Sequence, residues 1–189
     1  MCGMDNELKT VAVFLDTEFS SLNDAERDLI SLALVAENSD DALYIVLANG
    51  WDKREVSPFV RDTVLPMLTR YEPEMLTRAA AAARIEEWLD ARRPDPETSI
   101  LLLSDSGIDA QELERLFERG WAQRKAVAWR HIDHELHESN MNTEYAAELE
   151  ALFLRRAHAL LIRGGERHHA LVDARMMKAA FLKVAGGAA

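Results

Sequence analysis

The chain has 189 residues, of which 48% are hydrophobic and 29% charged, and its net charge is −11. This is a globular composition with room for one ordinary domain. The longest uninterrupted apolar run, Ala42–Ala48, falls far short of the roughly 20 residues that a membrane helix needs. The acidic balance argues against a general nucleic-acid coating protein, and the lone Cys2 leaves no intrachain disulfide and no cysteine-based zinc site. The first ten residues are polar, so no leader is expected, and a reducing, cytoplasmic setting is the natural expectation.

In chain order, Val11–Leu15 (VAVFL) reads as a buried strand. Leu29–Glu37 and Ala42–Ala48 read as two more strands, joined as a hairpin across the ENSDD turn cluster. Val56–Leu68 is expected to be helical, with Ser57 as N-cap and Pro58 in the first turn; Pro66 ends or bends it. Met75–Ala91 carries Leu76, Ala80, Ala83, Trp88 and Leu89 at helical spacing. The Arg-Arg-Pro-Asp-Pro segment at 92–96 breaks the chain, and Ser99–Leu103 forms a fourth strand. Asp109–Arg119 is a helix with Gly120 beyond its end, and Ala126–Trp129 a fifth strand. His131–Thr143 has no clear pattern. Glu144–Ile162 and Leu171–Val184 are the last helices. The order predicts an α/β fold with a mixed five-stranded sheet flanked by helices, in a single domain over residues 1–189 with its core at 11–184.

Charge is uneven along the chain. Residues 1–109 carry 10 basic and 22 acidic side chains, and residues 110–189 carry 12 and 11. Solvated surface explains most of that excess, but carboxylates gathered to hold divalent cations also contribute to such a balance. Asp-x-Glu occurs five times, beginning at Asp5, Asp16, Asp24, Asp95 and Asp133. Only the pair Asp16 and Glu18 closes an apolar strand. Residues two apart on a strand share a face, so the two carboxylates repel unless a cation lies between them. That oxygen-rich pairing suits Mg²⁺ or Mn²⁺.

Asp109 follows the fourth strand and opens a helix, where an N-cap role is the simplest reading. Asp105 and Ser106 read as turn residues. In open α/β sheets, however, sites lie beyond the carboxyl ends of strands, where Asp16 and Asp109 both fall. Asp173 opens the last helix. His168 and His169 precede it in ERHHALVDA; by spacing alone either histidine fits a site, and a surface role fits each as well.

These residues together resemble the DEDDh 3′–5′ exonucleases, which have the RNase H-like fold. FLDTEF matches the first motif, SDSGIDAQEL resembles the second, and HHALVDA closely matches the third. The hairpin after FLDTEF looks most like the bacterial exoribonuclease-type branch. In the second motif an Asn and a Phe often precede the Asp; here Asp105 and Ile108 stand there, a departure that bears on how a base or 3′ end is held. The resemblance covers Val11–Ala180 in order and topology, with specific matching confined to the three motifs.

The resemblance implies two-metal phosphodiester hydrolysis, with Asp16, Glu18, Asp109 and Asp173 holding two Mg²⁺ or Mn²⁺ ions. The histidine-type third motif selects His168 as general base. It also implies that Glu18 bonds the terminal 3′ hydroxyl and that Thr17, Phe19 and Leu22 contact substrate, although Phe19 and Leu22 fit a core role equally. The expected partner is a single-stranded RNA or DNA 3′ end, RNA favoured; no membrane is expected, and a homodimer is admitted because many relatives are dimers. Two other readings compete: a catalytically silent nucleic-acid or nucleotide binding module on the same fold, and an acidic interaction protein whose carboxylates are caps and surface.

Other features weigh less. His131, His134 and His137, with Asp133 and Glu135, form a zinc site only on paper; a surface or rim segment is the better reading. Trp51, Trp88, Trp121 and Trp129 are scattered, which favours packing over a stacking platform. Arg124, Lys125 and Arg130, and separately Arg155, Arg156, Arg163 and Arg167, suit phosphate contacts or solvated helix faces alike.

Overall fold

Alternation along the strands sets the whole architecture. In the computed structural model, which describes residues 9–136, 143–152 and 167–187, Thr10–Phe19 forms β1. Leu29–Ala36 (β2) and Ala42–Leu47 (β3) follow, then Glu74–Leu76 (β4), Ser99–Ser104 (β5) and Val127–His131 (β6). The strands make one six-stranded sheet in the order β4-β3-β2-β1-β5-β6. β1, β2 and β3 pair antiparallel as the expected meander, whereas β1–β5, β5–β6 and β3–β4 are parallel.

The apolar runs are continuous because both faces of the sheet are covered. Val13 and Leu15 of β1, with Leu32, Leu34, Ile45 and Leu102, meet one layer of helices. This layer is α1 (Arg78–Asp90), α2 (Gly107–Glu114) and the short α3 (Trp121–Arg124). Phe14, with Ala33, Val35, Tyr44, Val46, Leu101 and Leu103, meets the other face. That face is covered chiefly by the last helix. A short α4 (Ile132–Glu135) and a helical stretch at 143–152, α5, precede it, and the last helix itself is α6 (Ala170–Gly187). Ala170, Ala174, Met177, Phe181 and Val184 recur at helical spacing and are all buried. The small residues bring the helix close to the sheet, and Phe14 meets Phe181 edge-on at 5.5 Å.

The structure corrects several expectations. The sheet has six strands rather than five. The addition is β4, whose Met75 and Leu76 had read as the start of a helix; Thr77 caps α1 instead, accepting from the N–H of Ala80. β1 runs on to Phe19, so Asp16 and Glu18 lie within the strand and not beyond it. Ser106, not Asp109, caps α2, and α2 ends at Glu114. The segment near Ser57 is helical as expected, with the N–H of Val60 bonded to Ser57 Oγ, but it is a π-helical turn (Val60–Val64) followed by a 3₁₀ turn (Leu65–Met67) holding Pro66. His131 belongs to β6. The expected helix Glu144–Ile162 is helical at 144–152, and its remainder lies outside the described residues. Among the described residues, no helix is long and apolar enough to cross a membrane.

Candidate active site

The parity of β1 decides where its acids go. Asp16 and Glu18 share the face of Phe14, the face covered by α6, while Thr17 faces the α2 side with Val13 and Leu15. β1 stays paired with β2 as far as Phe19, but its parallel pairing with β5 stops at Phe14. Beyond that point the β5 side of β1 is open, and the first turn of α2 fills it. Asp109 Oδ1 accepts the backbone N–H of Thr17 at 3.2 Å and its hydroxyl at 2.7 Å. Asp109 is therefore 2% exposed although it comes from a helix start.

α6 supplies the other flank. Asp173 Oδ2 accepts the backbone N–H of His168 at 2.8 Å, folding the preceding loop back over the helix start. His168 has a left-handed backbone, φ 66°. This turns the adjacent histidines to different places. The exposed His168 has a ring nitrogen within 4.8 Å of carboxylate oxygens of Glu18 and Asp173, and its ring meets that of Phe59 edge-on at 4.8 Å. His169 is 2% exposed and lies between the rings of Tyr44 and Tyr71, at 4.7 Å and 5.1 Å. A second group, Asp16, Asp105 and Asp109, also has its ligand atoms within 4.8 Å of one another.

The electrostatics are those of a site built for a cation. Burial, then the charge of neighbouring acids, raises the carboxyls of Asp16 and Glu18 well above their usual values. Burial raises Asp109 and Asp173 to about 7, against the hydrogen bonds from Thr17 and from the His168 backbone. Asp109 Oδ2 and Asp173 Oδ1 are buried and accept no hydrogen bond. Such oxygens are costly to bury without a counter-charge. A donor set of carboxylate oxygens fits a hard divalent cation, and the imidazole of His168 beside it is not a donor such a cation needs. His168 is pushed the other way, below its usual value, by desolvation and then by Arg167.

Of the residues singled out in the sequence, Asp16, Glu18, Asp109, His168 and Asp173 converge at this end of β1. Thr17 is buried and its hydroxyl is given to Asp109. Phe19 is half-buried beneath the Arg27 guanidinium at 5.4 Å, and Leu22 is 79% exposed on the following loop, which removes its core reading. Arg27 ties that loop down. It donates to the carbonyls of Ser21 and Leu22 and lies 3.6 Å from the buried Glu112 of α2.

Sequence reasoning read Asp105 as a turn residue and a departure from the second motif, not as a member of the acid cluster, and it missed Phe59. Asp105 had a signal, since it stands on the same strand-to-helix turn as Asp109; Phe59 had none. Among the described residues, no cation-holding group includes His131 or His134, whose rings are 6.2 Å apart, and His137 lies outside them. Trp88 and Trp121 are buried. Lys125 pairs with Asp90, Arg130 with Glu135 and Arg167 with Glu150, while Arg155, Arg156 and Arg163 lie outside the described residues.

This is the fold of the RNase H-like exonucleases, a mixed sheet flanked by helices. Among solved structures, the nuclease domain of 3′hExo, a DEDDh family member bound to rAMP, is similar with a TM-score of 0.58 at 12% identity, over 94% of this chain and 92% of that one. E. coli exonuclease I in complex with a dA16 oligonucleotide gives 0.55 at 16%, over 93% of this chain and 41% of that one. Cell-death related nuclease 4 (CRN-4) gives 0.55 at 12%, over 95% and 65%. The chain thus spans about two-fifths of the length of the exonuclease I structures. No protein-family model and no curated protein matches the sequence.

Proposed function

We propose that this protein is a metal-dependent 3′–5′ exonuclease of the DEDDh type, acting on single-stranded RNA or DNA ends with RNA favoured. The observation that carries this reading is the meeting of four carboxylates from β1, α2 and α6 with one imidazole, two of those carboxylates keeping a buried oxygen without a donor. The favouring of RNA draws support from 3′hExo, a neighbour of matching length, whose bound nucleotide is rAMP; exonuclease I, bound to a dA16 oligonucleotide, keeps DNA in the experiment.

Asp16, Glu18, Asp109 and Asp173 would hold two Mg²⁺ or Mn²⁺ ions, which supply charge to neutralise the scissile phosphate and to acidify the attacking water. His168, held below its usual pKa, stays neutral near pH 7 and takes the water's proton on a ring nitrogen. Thr17 fixes the Asp109 carboxylate through its two donors. Glu18 accepts from the terminal 3′ hydroxyl, and Phe19 with Leu22 flanks the last base.

The test is incubation of 5′-labelled single-stranded RNA and its DNA counterpart with Mn²⁺, with Mg²⁺ and with chelator. Ladders that shorten from the 3′ end, vanish with chelator and are lost in Asp16→Ala are the expected result. His168→Ala should slow turnover by about 10²–10⁴-fold while keeping cation-linked stability. If metal-loaded protein binds both strands and cleaves neither, the silent binding module replaces the enzyme.

A further inference from the structure

The carboxylate of Asp105 belongs with those of Asp16 and Asp109, its oxygen lying within 4.8 Å of theirs. The turn that carries it is held firmly. Ser104, fully buried, donates its hydroxyl to the carbonyl of Ser106 at 2.8 Å and accepts the indole N–H of Trp129 at 2.8 Å. Ser106 in turn caps α2 by accepting the N–H of Ile108 at 3.2 Å. Asp105 thus leaves the end of β5 in a fixed direction, one residue before the cap. Beside it Asp109, 2% exposed, spends Oδ1 on Thr17 and leaves buried Oδ2 without a donor. An ionised Asp at position 105 only accepts hydrogen bonds, whereas an Asn of the same shape also donates them. Three carboxylates with oxygens this close repel one another, and a cation among the three turns that repulsion into attraction.

We propose that Asp105 is a fifth cation-holding carboxylate, acting with Asp16 and Asp109 on the β5–α2 side of the site. This rests on the nuclease reading of that site. Four carboxylates balance two divalent cations in charge. The fifth leaves the loaded site net negative, so the protein takes up its cation firmly before any phosphate arrives.

The experiment is calorimetric titration of Mn²⁺ into the nucleic-acid-free full chain, as wild type, Asp105→Asn and Asp16→Ala, with the Mn²⁺-linked rise in melting temperature as a second readout. Asp105→Asn keeps the side chain's shape and removes one charge. It should weaken Mn²⁺ binding by about tenfold and shrink the melting shift, without lowering the melting temperature in chelator. An Asp105→Asn isotherm equal to wild type, beside an Asp16→Ala protein that no longer binds, overturns the role of Asp105 and leaves the site intact. Mn²⁺ binding that depends on Asp105 in a protein that degrades neither RNA nor DNA overturns the exonuclease reading and upholds the inference. A wild-type chain that takes up no Mn²⁺ overturns both.

Discussion

Thr17 shows how one hydroxyl shapes the site's chemistry. Its side chain and backbone both donate to Asp109 Oδ1, which fixes the carboxylate and lowers its pKa against the larger effect of burial. Thr17→Val keeps the shape and the backbone donor but removes the hydroxyl. It should cost about 1–3 kcal/mol in denaturant unfolding and weaken Mn²⁺ binding about tenfold in calorimetry. In the sequence Thr17 stood only as a substrate contact implied by the resemblance; that its hydroxyl goes to Asp109 was not readable, because it depends on where β5 stops pairing with β1. The two histidines teach the same lesson. Their spacing to Asp173 left both open, and the left-handed backbone at His168 is what sends one ring to the acids and the other into the Tyr44–Tyr71 box.

At the scale of elements, the loop after β1 is clamped to α2 by a buried ion cluster. The side chains of Arg27 and Glu112 are 5% and 1% exposed, and Arg115 reaches both Glu112 at 2.6 Å and Asp24 at 2.7 Å. Glu112→Ala removes the buried acid beside Arg27 and Arg115, leaving Arg27 only Asp24 and the carbonyls of Ser21 and Leu22, and should cost about 1–3 kcal/mol, measured by denaturant unfolding. It should also release the loop bearing Leu22, so that KM for an oligonucleotide rises more than kcat falls. The sequence disclosed the long elements because both sheet faces are buried, so that β2, β3 and β5 carry only serine among their apolar residues. It hid β4, three residues whose apolar pair also fits the helix that follows, and it hid the far half of β1, because Asp and Glu are poor strand formers on their own. β2 holds that half of β1 in the sheet by pairing with Asp16, Thr17 and Glu18.

For the whole molecule, the clustered acids tie stability to pH. Asp16, Glu18, Asp109 and Asp173 all bind protons more readily folded than unfolded, the last two near pH 7. The contribution of Asp109 and Asp173 is complete below the ordinary carboxyl value of about 4 and is lost as pH climbs through about 7, and that of Asp16 and Glu18 has the same sign. His168, shifted downward, opposes this with a single group. The chelated protein should therefore melt at a lower temperature at pH 8 than at pH 5, and saturating Mn²⁺ should remove or reverse that slope. Parallel slopes with and without Mn²⁺ would mean that the acids do not share a cation. The fold that gathers them was readable as a class, since the motifs fall in order at strand ends and helix starts. The distances were not, because they arise from the stacking of α6 on one face and α2 on the other.

The backbone of His168 carries a further consequence. A left-handed φ is strained for any residue with a β-carbon and free for glycine. Selection for folding alone would drift toward glycine at this position and discard the imidazole without any sign of damage. If His168 is the proton acceptor proposed above, robustness and activity pull in opposite directions here, and a library screened by yield or heat resistance would enrich well-behaved proteins that no longer turn over. Engineering this chain for durability requires that His168 be held fixed from the start.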